Sequence, residues 1–308
     1  MKVTSASRSK QRVASLRSYW VVHFMGLLNE EEKYEIRLAV RRQFPGDPES
    51  KVQIDVAVRG AISILMKTLG EKWADRYVSP TPGRSDSGFL KRGLSSDIER
   101  LTYMDRIMML AEFLDVLSEL KNFESKVKDL RTKSLEETFF EMEVAYSLKS
   151  RGFAVEFVVP SRIKGQDYDL AVQIGEQRLA VEVKCRTSDS RFDENSLKNP
   201  LKRAARLQLP KEGSNVIYFK IPARWTLETS FIAAADTVLN HFLKDYSRIN
   251  MVVLWWEEWS LVGPFGRTSK FRSYVNAMPK LKVNGIGTLI TEIELPPVDA
   301  TYLAITYI

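Results

Sequence analysis

One cysteine, Cys185, and two histidines, His23 and His241, are all that 308 residues contain of these types. A single thiol excludes an intramolecular disulfide and a multi-cysteine zinc site. Two histidines far apart in helical contexts argue against histidine-centred nucleases and Ser-His-Asp hydrolysis, which need an imidazole beside the reacting group. Cys185 reads as a packed strand-end thiol rather than a nucleophile. No Gly-x4-Gly-Lys-Ser/Thr loop is present to cradle a nucleotide, and Asn284-Gly285-Ile286-Gly287 is only a turn signal, too short for a dinucleotide fingerprint. No run approaches the roughly 18 apolar residues of a membrane span. The opening Met1-Lys2-Val3-Thr4-Ser5 lacks the apolar block of a secretory signal, so a cytoplasmic location is expected. Internal repeats and long low-complexity tracts are absent as well.

What is present is a chain 44% hydrophobic and 28% charged, enough to bury a sizeable core in two domains. The net charge of +7 is a modest bias toward polyanions, and its distribution tells more than its size. From Lys184 to Arg224 ten basic residues face four acidic ones. Within 196–209, Lys198, Lys202, Arg203 and Arg206 interleave with Leu197, Leu201, Ala204, Ala205 and Leu209, which predicts a helix with one basic and one apolar side. With Arg186, these basic residues are the candidate phosphate contacts; a solvated face covering a sheet is the competing reading. Gln208 is a weak candidate for polar support.

The most informative segment is a pair of alternating runs, 168–174 and 178–184, joined through Gly175-Glu176-Gln177. The short glycine-containing connection favours an antiparallel hairpin. Side chains alternate faces along a strand, so Glu182 and Lys184 project together with Ala180, away from Leu179, Val181 and Val183, and the hairpin allows Asp169 to lie beside them. Two carboxylates and an ammonium on one small patch are what phosphodiester hydrolysis asks for. The acids hold a hard divalent cation, and the lysine orients or deprotonates a water and offsets developing negative charge. The tripeptide Glu-x-Lys carries little by itself. Glu31-Glu32-Lys33, Glu119-Leu120-Lys121 and Glu124-Ser125-Lys126 share it and read as solvated helix faces. The competing reading of Glu182-Val183-Lys184 is an ion pair on the exposed face of a hairpin.

A helix is predicted over 135–151, with Leu135, Phe139, Met142, Ala145, Tyr146 and Leu148 on one buried arc. Glu141 falls inside that arc and needs a partner there. Glu136 and Glu143 fall outside it, and Glu137 lies just past its edge.

Taken together, residues 135–222 resemble the PD-(D/E)XK nuclease superfamily with its restriction-endonuclease-like core: a helix with an acid, strands 153–159, 168–174 and 178–184, a helix, and strand 215–221. The resemblance implies an α/β (α+β) fold with an αβββαβ core and mixed sheet. It implies Asp169 and Glu182 as magnesium ligands, with manganese as a possible substitute, Lys184 as the water-activating residue, and Glu141 as an auxiliary acid of the metal site. The proline usual before the motif aspartate is missing; Gln166-Asp167-Tyr168 stands there, and Asp167 competes with Asp169 for the ligand role.

Residues 1–133 read as an all-helical N-terminal domain, with a basic arm at 1–20 (Arg8, Lys10, Arg12, Arg17) and a linker near 79–95 rich in Ser, Pro and Gly. Helices are expected over 20–28, 30–44, 53–77 and from a Ser96/Glu99 capping box to about 130. Such a domain can bind DNA, a partner protein or a second copy of the chain. Residues 134–308 form the nuclease-like domain with a C-terminal extension: a helix over 227–246, a strand over 250–256, a further helix, and closing strands at 287–294 and 300–308. Trp255, Trp256 and Trp259 read as core and rim packing rather than base-stacking platforms.

The resulting expectation is a metal-dependent deoxyribonuclease, an endonuclease of restriction or phage-defence type. Two alternatives stand beside it: a catalytically silent nucleic-acid-binding or assembly subunit on a nuclease fold, and a structure-selective repair nuclease.

Overall fold

The computed structural model describes residues 20–47, 49–78, 88–90, 96–187, 190–260 and 266–290. They form two compact units, one reaching Asp115 and taking in Trp259–Thr268, the other holding Val116–Glu258 and the residues from Ser269 onward. The division falls at Asp115 rather than at the expected 133. The expected basic arm lies outside the described residues up to 19, and the expected linker does so apart from a 3₁₀ turn at Gly88–Leu90. No helix among the described residues is long and apolar enough to cross a membrane.

The described elements of the first unit include helices α1 (residues 20–26), α2 (Glu30–Gln43), α3 (Glu49–Leu69), α4 (Glu71–Tyr77) and α5 (Asp97–Val116). Asn29 caps α2 through a reciprocal pair, Glu32 N to Asn29 Oδ1 at 2.9 Å and Asn29 N to Glu32 Oε2 at 2.8 Å. The single helix expected over 53–77 is instead broken at Gly70, whose φ of +94° no helix accommodates. Glu99 N donates to Ser96 Oγ at 3.2 Å at the start of α5. That helix stops at Val116 rather than near 130, and α6 (Phe123–Thr132) begins after Asn122 takes the left-handed conformation at φ +64°.

From α6 onward the order is α7 (Leu135–Ser150), β1 (Ala154–Phe157), β2 (Leu170–Ile174), β3 (Gln177–Cys185), α8 (Glu194–Arg203), β4 (Ser214–Lys220), α9 (Phe231–Asp245), β5 (Ile249–Ser260) and β6 (Gly266–Val275), the second unit holding β5 up to Glu258 and β6 from Ser269. The six strands lie in sequence order in one mixed sheet. β1 pairs β2 and β2 pairs β3 antiparallel, whereas β4 pairs both β3 and β5 parallel. Every residue of β4 is buried, as a central parallel strand covered on both faces requires. On one face Ala180, Ile217, Phe219, Val252 and Leu254 pack with Leu197 and Leu201 of α8 and Leu239 and Phe242 of α9.

α7 ends in a Schellman motif: Phe153 N donates to Leu148 O at 3.2 Å and Gly152 N to Lys149 O at 2.8 Å. Gly152 takes φ +83° there, which turns the chain straight into β1. β1 is short, and its end is covered rather than left open: Phe157 N donates to Lys121 O at 3.2 Å and Asn122 Nδ2 to Phe157 O at 2.7 Å. These two bonds seat the start of α6 against the sheet edge.

Beyond the core, the helix expected after β5 is the strand β6, and residues 287–290 belong to a 3₁₀ turn, Ile286–Ile290, instead of a strand. The remaining residues of the two expected closing strands lie outside the described set. Trp255 is buried, edge-to-face with Phe140 at 5.5 Å and Phe271 at 4.9 Å. Contacts of this kind contribute about 0.5–1.5 kcal/mol each beyond area burial.

Candidate active site

The β2–β3 hairpin turns through the two residues between Ile174 and Gln177. Its register, Leu170 opposite Val181, sets Asp169 across from Glu182. Asp169 N donates to Val181 O at 3.1 Å and Asp169 Oδ2 accepts from Val183 N at 2.7 Å, so the carboxylate is fastened to the backbone of β3. Lys184, two residues along β3, is ion-paired with Glu182 Oε1. Glu182 has 0% exposure. It lies level with Ile217 of β4, and Lys184 with Phe219, on the face that α8 and α9 cover. The ion pair is therefore built into the interior and does not decorate an exposed hairpin face. Fully burying a charge is tolerated only with partners or a bound ion.

Glu141 of α7 is bonded through Oε2 to Lys126 of α6. The Lys126 side chain is only 3% exposed and also meets Asp129 at 3.5 Å. This overturns the reading of Glu124-Ser125-Lys126 as a solvated helix face. On a ten-residue amphipathic helix, Phe123, Lys126, Val127 and Leu130 recur at three- and four-residue steps and are all buried. Position 126 lies on the apolar stripe, and that spacing was the available signal. Glu119 and Lys121, by contrast, are exposed as expected.

Burial and then the charge of Asp169 push the Glu182 carboxyl well above its usual range, against the pull of Lys184. Burial and Asp169 likewise push Glu141 up to about 7 despite Lys126. Desolvation works to lower both lysines, but Glu182 and then Asp169 hold Lys184 in the charged form, and Glu141 and then Asp169 do the same for Lys126. Asp169 acts on all four of these groups. The result is an excess of carboxylates, Asp169, Glu182, Glu141 and the more peripheral Asp129, over the ammoniums of Lys184 and Lys126 in a largely water-excluded space.

Among the described residues no group of three or more His, Cys, Asp or Glu side chains is gathered as a ready metal cage. Each acid already spends an oxygen inside the protein: Asp169 on Val183 N, Glu182 on Lys184, Glu141 on Lys126. Glu182 Oε2, however, is buried and has no hydrogen-bond partner. Magnesium is commonly held by one or two carboxylates with water and phosphate oxygens completing its shell. Hard oxygen donors, one of them orphaned, with an excess of negative charge beside it, fit such an ion at Asp169 and Glu182.

Other candidates find different places. Asp167 Oδ1 accepts from Ser161 N at 2.7 Å, Ser161 Oγ at 3.1 Å and Arg162 N at 2.9 Å, so it shapes the loop before β2. Glu143, expected outside the buried arc of α7, is buried and lies 3.6 Å from Lys220, which bonds Glu257 at 2.8 Å. The single-arc reading fails because α7 is covered nearly all round, with Thr138, Phe140, Val144 and Ser147 buried as well. Cys185 is half-buried, and burial drives its thiol strongly upward, which suits packing and not nucleophilic attack.

The helix expected over 196–209 is α8, followed by a π turn at Ala204–Gln208. It buries Leu197, Leu201, Ala204 and Ala205, exposes Lys198, Arg203 and Arg206, and half-exposes Lys202. Arg206 Nε donates to Tyr246 Oη at 2.9 Å. Arg186 has a task inside the fold: its Nε donates at 3.0 Å to Ser196 O, the carbonyl left without its helical partner because Pro200 has no N–H. Gln208 Oε1 is buried without a hydrogen-bond partner.

Comparison with protein-family models, with curated proteins and with solved structures finds no match for this chain.

Proposed function

We propose that the chain is a metal-dependent phosphodiesterase acting on DNA, an endonuclease with a restriction-endonuclease-like αβββαβ core running from α7 to β4. One observation carries the reading: Asp169, Glu182 and Lys184 meet at one end of a hairpin, with Glu182 fully buried and its Oε2 without a hydrogen-bond partner. A packed core gains nothing from a carboxylate with a bare oxygen unless something else bonds it.

Asp169 and Glu182 would hold the divalent ion, magnesium or manganese. Such an ion polarises the phosphoryl group and lowers the pKa of a bound water. Lys184, kept charged by Glu182 and Asp169 against the cost of its burial, acts as a cation near the scissile phosphate and offsets the negative charge that grows there. In that state it is a poor proton acceptor, so the electrostatic role is favoured over the water-deprotonating one. The exposed basic side of α8, with Lys198, Arg203 and Arg206, is a surface on which a phosphate backbone would be attracted.

The test is cleavage of supercoiled, linear and single-stranded DNA with and without magnesium. Asp169→Ala is expected to abolish cutting, and Lys184→Met to reduce it by about 10²–10³-fold, with both variants folded by circular dichroism. Binding without cleavage on every substrate would favour the silent-subunit reading, which draws support from the lysine already bonded to each glutamate. Preference for branched over linear duplex would select a repair nuclease.

A further inference from the structure

The two buried ion pairs beside Asp169 are not equivalent. Lys184 sits on the same strand as its partner Glu182, and its side chain is 21% exposed, so it can turn toward solvent and release the carboxylate. Lys126 cannot do the same. It projects from α6, which is seated by the bonds from Phe157 N to Lys121 O and from Asn122 Nδ2 to Phe157 O, and by the buried Phe123, Val127 and Leu130. Its side chain is 3% exposed and its ammonium is shared between Glu141 and Asp129. Asp129 is itself held by Lys133 at 2.9 Å, and the Phe157 ring lies 5.8 Å from the Lys126 ammonium.

We propose that the site takes a single divalent cation, on Asp169 and Glu182, and that Lys126 fills the Glu141 side with a permanent ammonium that excludes a second ion. The inference rests on the nuclease reading and deepens it, since it assigns the metal stoichiometry and removes Glu141 from the ligand set. A divalent ion approaching Glu141 would have to displace a buried ammonium that has no solvent to move into, and would meet its repulsion at short range in a low dielectric. Lys126 is thus a positioning residue. It fixes Glu141 beside Asp169 and supplies, without touching substrate, positive charge that a second ion would otherwise bring.

The experiment is a manganese titration of the full chain, with free Mn²⁺ followed by electron paramagnetic resonance. Wild type is expected to saturate at one ion, and Glu141→Gln also at one with affinity within about threefold. Lys126→Met, which frees Glu141, is expected to take up a second ion or to bind the first about tenfold more tightly, the scale on which supporting residues alter metal affinity. Two ions in wild type, with one lost in Glu141→Gln, would overturn the inference and leave the nuclease reading standing. So would a single ion whose affinity falls more than about tenfold in Glu141→Gln, or a folded Lys126→Met that titrates as wild type does. If Lys126→Met fails to fold, wild type and Glu141→Gln decide the matter between them. No bound manganese in any form, with no cleavage, would overturn the nuclease reading and this inference with it.

Discussion

Glu141 shows how a single side chain can make the site sensitive to pH. Its carboxyl is raised to about 7 by burial and by Asp169, whereas in the unfolded chain it titrates in the usual range near 4.5. Between those values the folded protein binds more protons than the unfolded one, so stability falls as pH rises through this window. With divalent ions removed by chelator, urea denaturation is expected to show a loss of stability between pH 5 and pH 8, of which Glu141 contributes up to roughly 3 kcal/mol and the raised Glu182 a further part of the same sign. Glu141→Gln, which resembles the protonated acid, should make that dependence shallower and leave the part that Glu182 contributes. A stability that instead rises over this range would mean that Lys126 outweighs burial and Asp169. The acids and Lys184 could be read from alternation and spacing; Lys126 could not be told from a surface lysine by its tripeptide, because what buries it is the packing of α6 beside β1.

At the scale of an element, α8 joins three facts that look unrelated in sequence. Pro200 removes one helical donor, Ser196 O loses its partner, and Arg186, just past the end of β3, supplies the replacement at 3.0 Å. Arg186→Met is expected to cost about 1–2 kcal/mol, the scale of an unsatisfied buried carbonyl. The cost should shrink when Pro200→Ala restores the backbone N–H, a coupling that a double-mutant cycle by chemical denaturation measures. Equal costs in both backgrounds would assign Arg186 some other role. The helix itself was legible from its interleaved leucines and basic residues, as were α7 and the β2–β3 hairpin. The ends of elements were less so: α5 stops at Val116, and the 53–77 helix divides at Gly70, where a single residue with positive φ overrides a continuing apolar pattern.

For the molecule as a whole, the basic side of α8 supports an electrostatic prediction. In an Asp169→Asn background, which prevents cutting, replacing Lys198, Arg203 and Arg206 together by Ala is expected to weaken duplex binding. It should also reduce the slope of log affinity against log salt by about 0.9 for each lost phosphate contact. Fluorescence anisotropy across a salt series measures both. An unchanged slope would move the nucleic-acid surface elsewhere. Net charge alone suggested a polyanion partner; only the fold turned Lys198, Arg203 and Arg206 outward while engaging half-buried Arg186 with Ser196 O.

Residue order by itself determined the αβββαβ succession of elements, the pairing of β2 with β3, and the neighbourhood of Asp169, Glu182 and Lys184, since strand alternation and a short turn are local properties of the chain. Tertiary structure alone decided that Glu182 is sealed from water, that Asp167 shapes a loop, that Glu143 is buried with Lys220, and that Lys126 reaches Glu141 from the preceding helix. Those outcomes depend on which surfaces pack together: the apolar spacing of α6 marks position 126 as facing inward, but spacing along one element does not say which charges of another it meets.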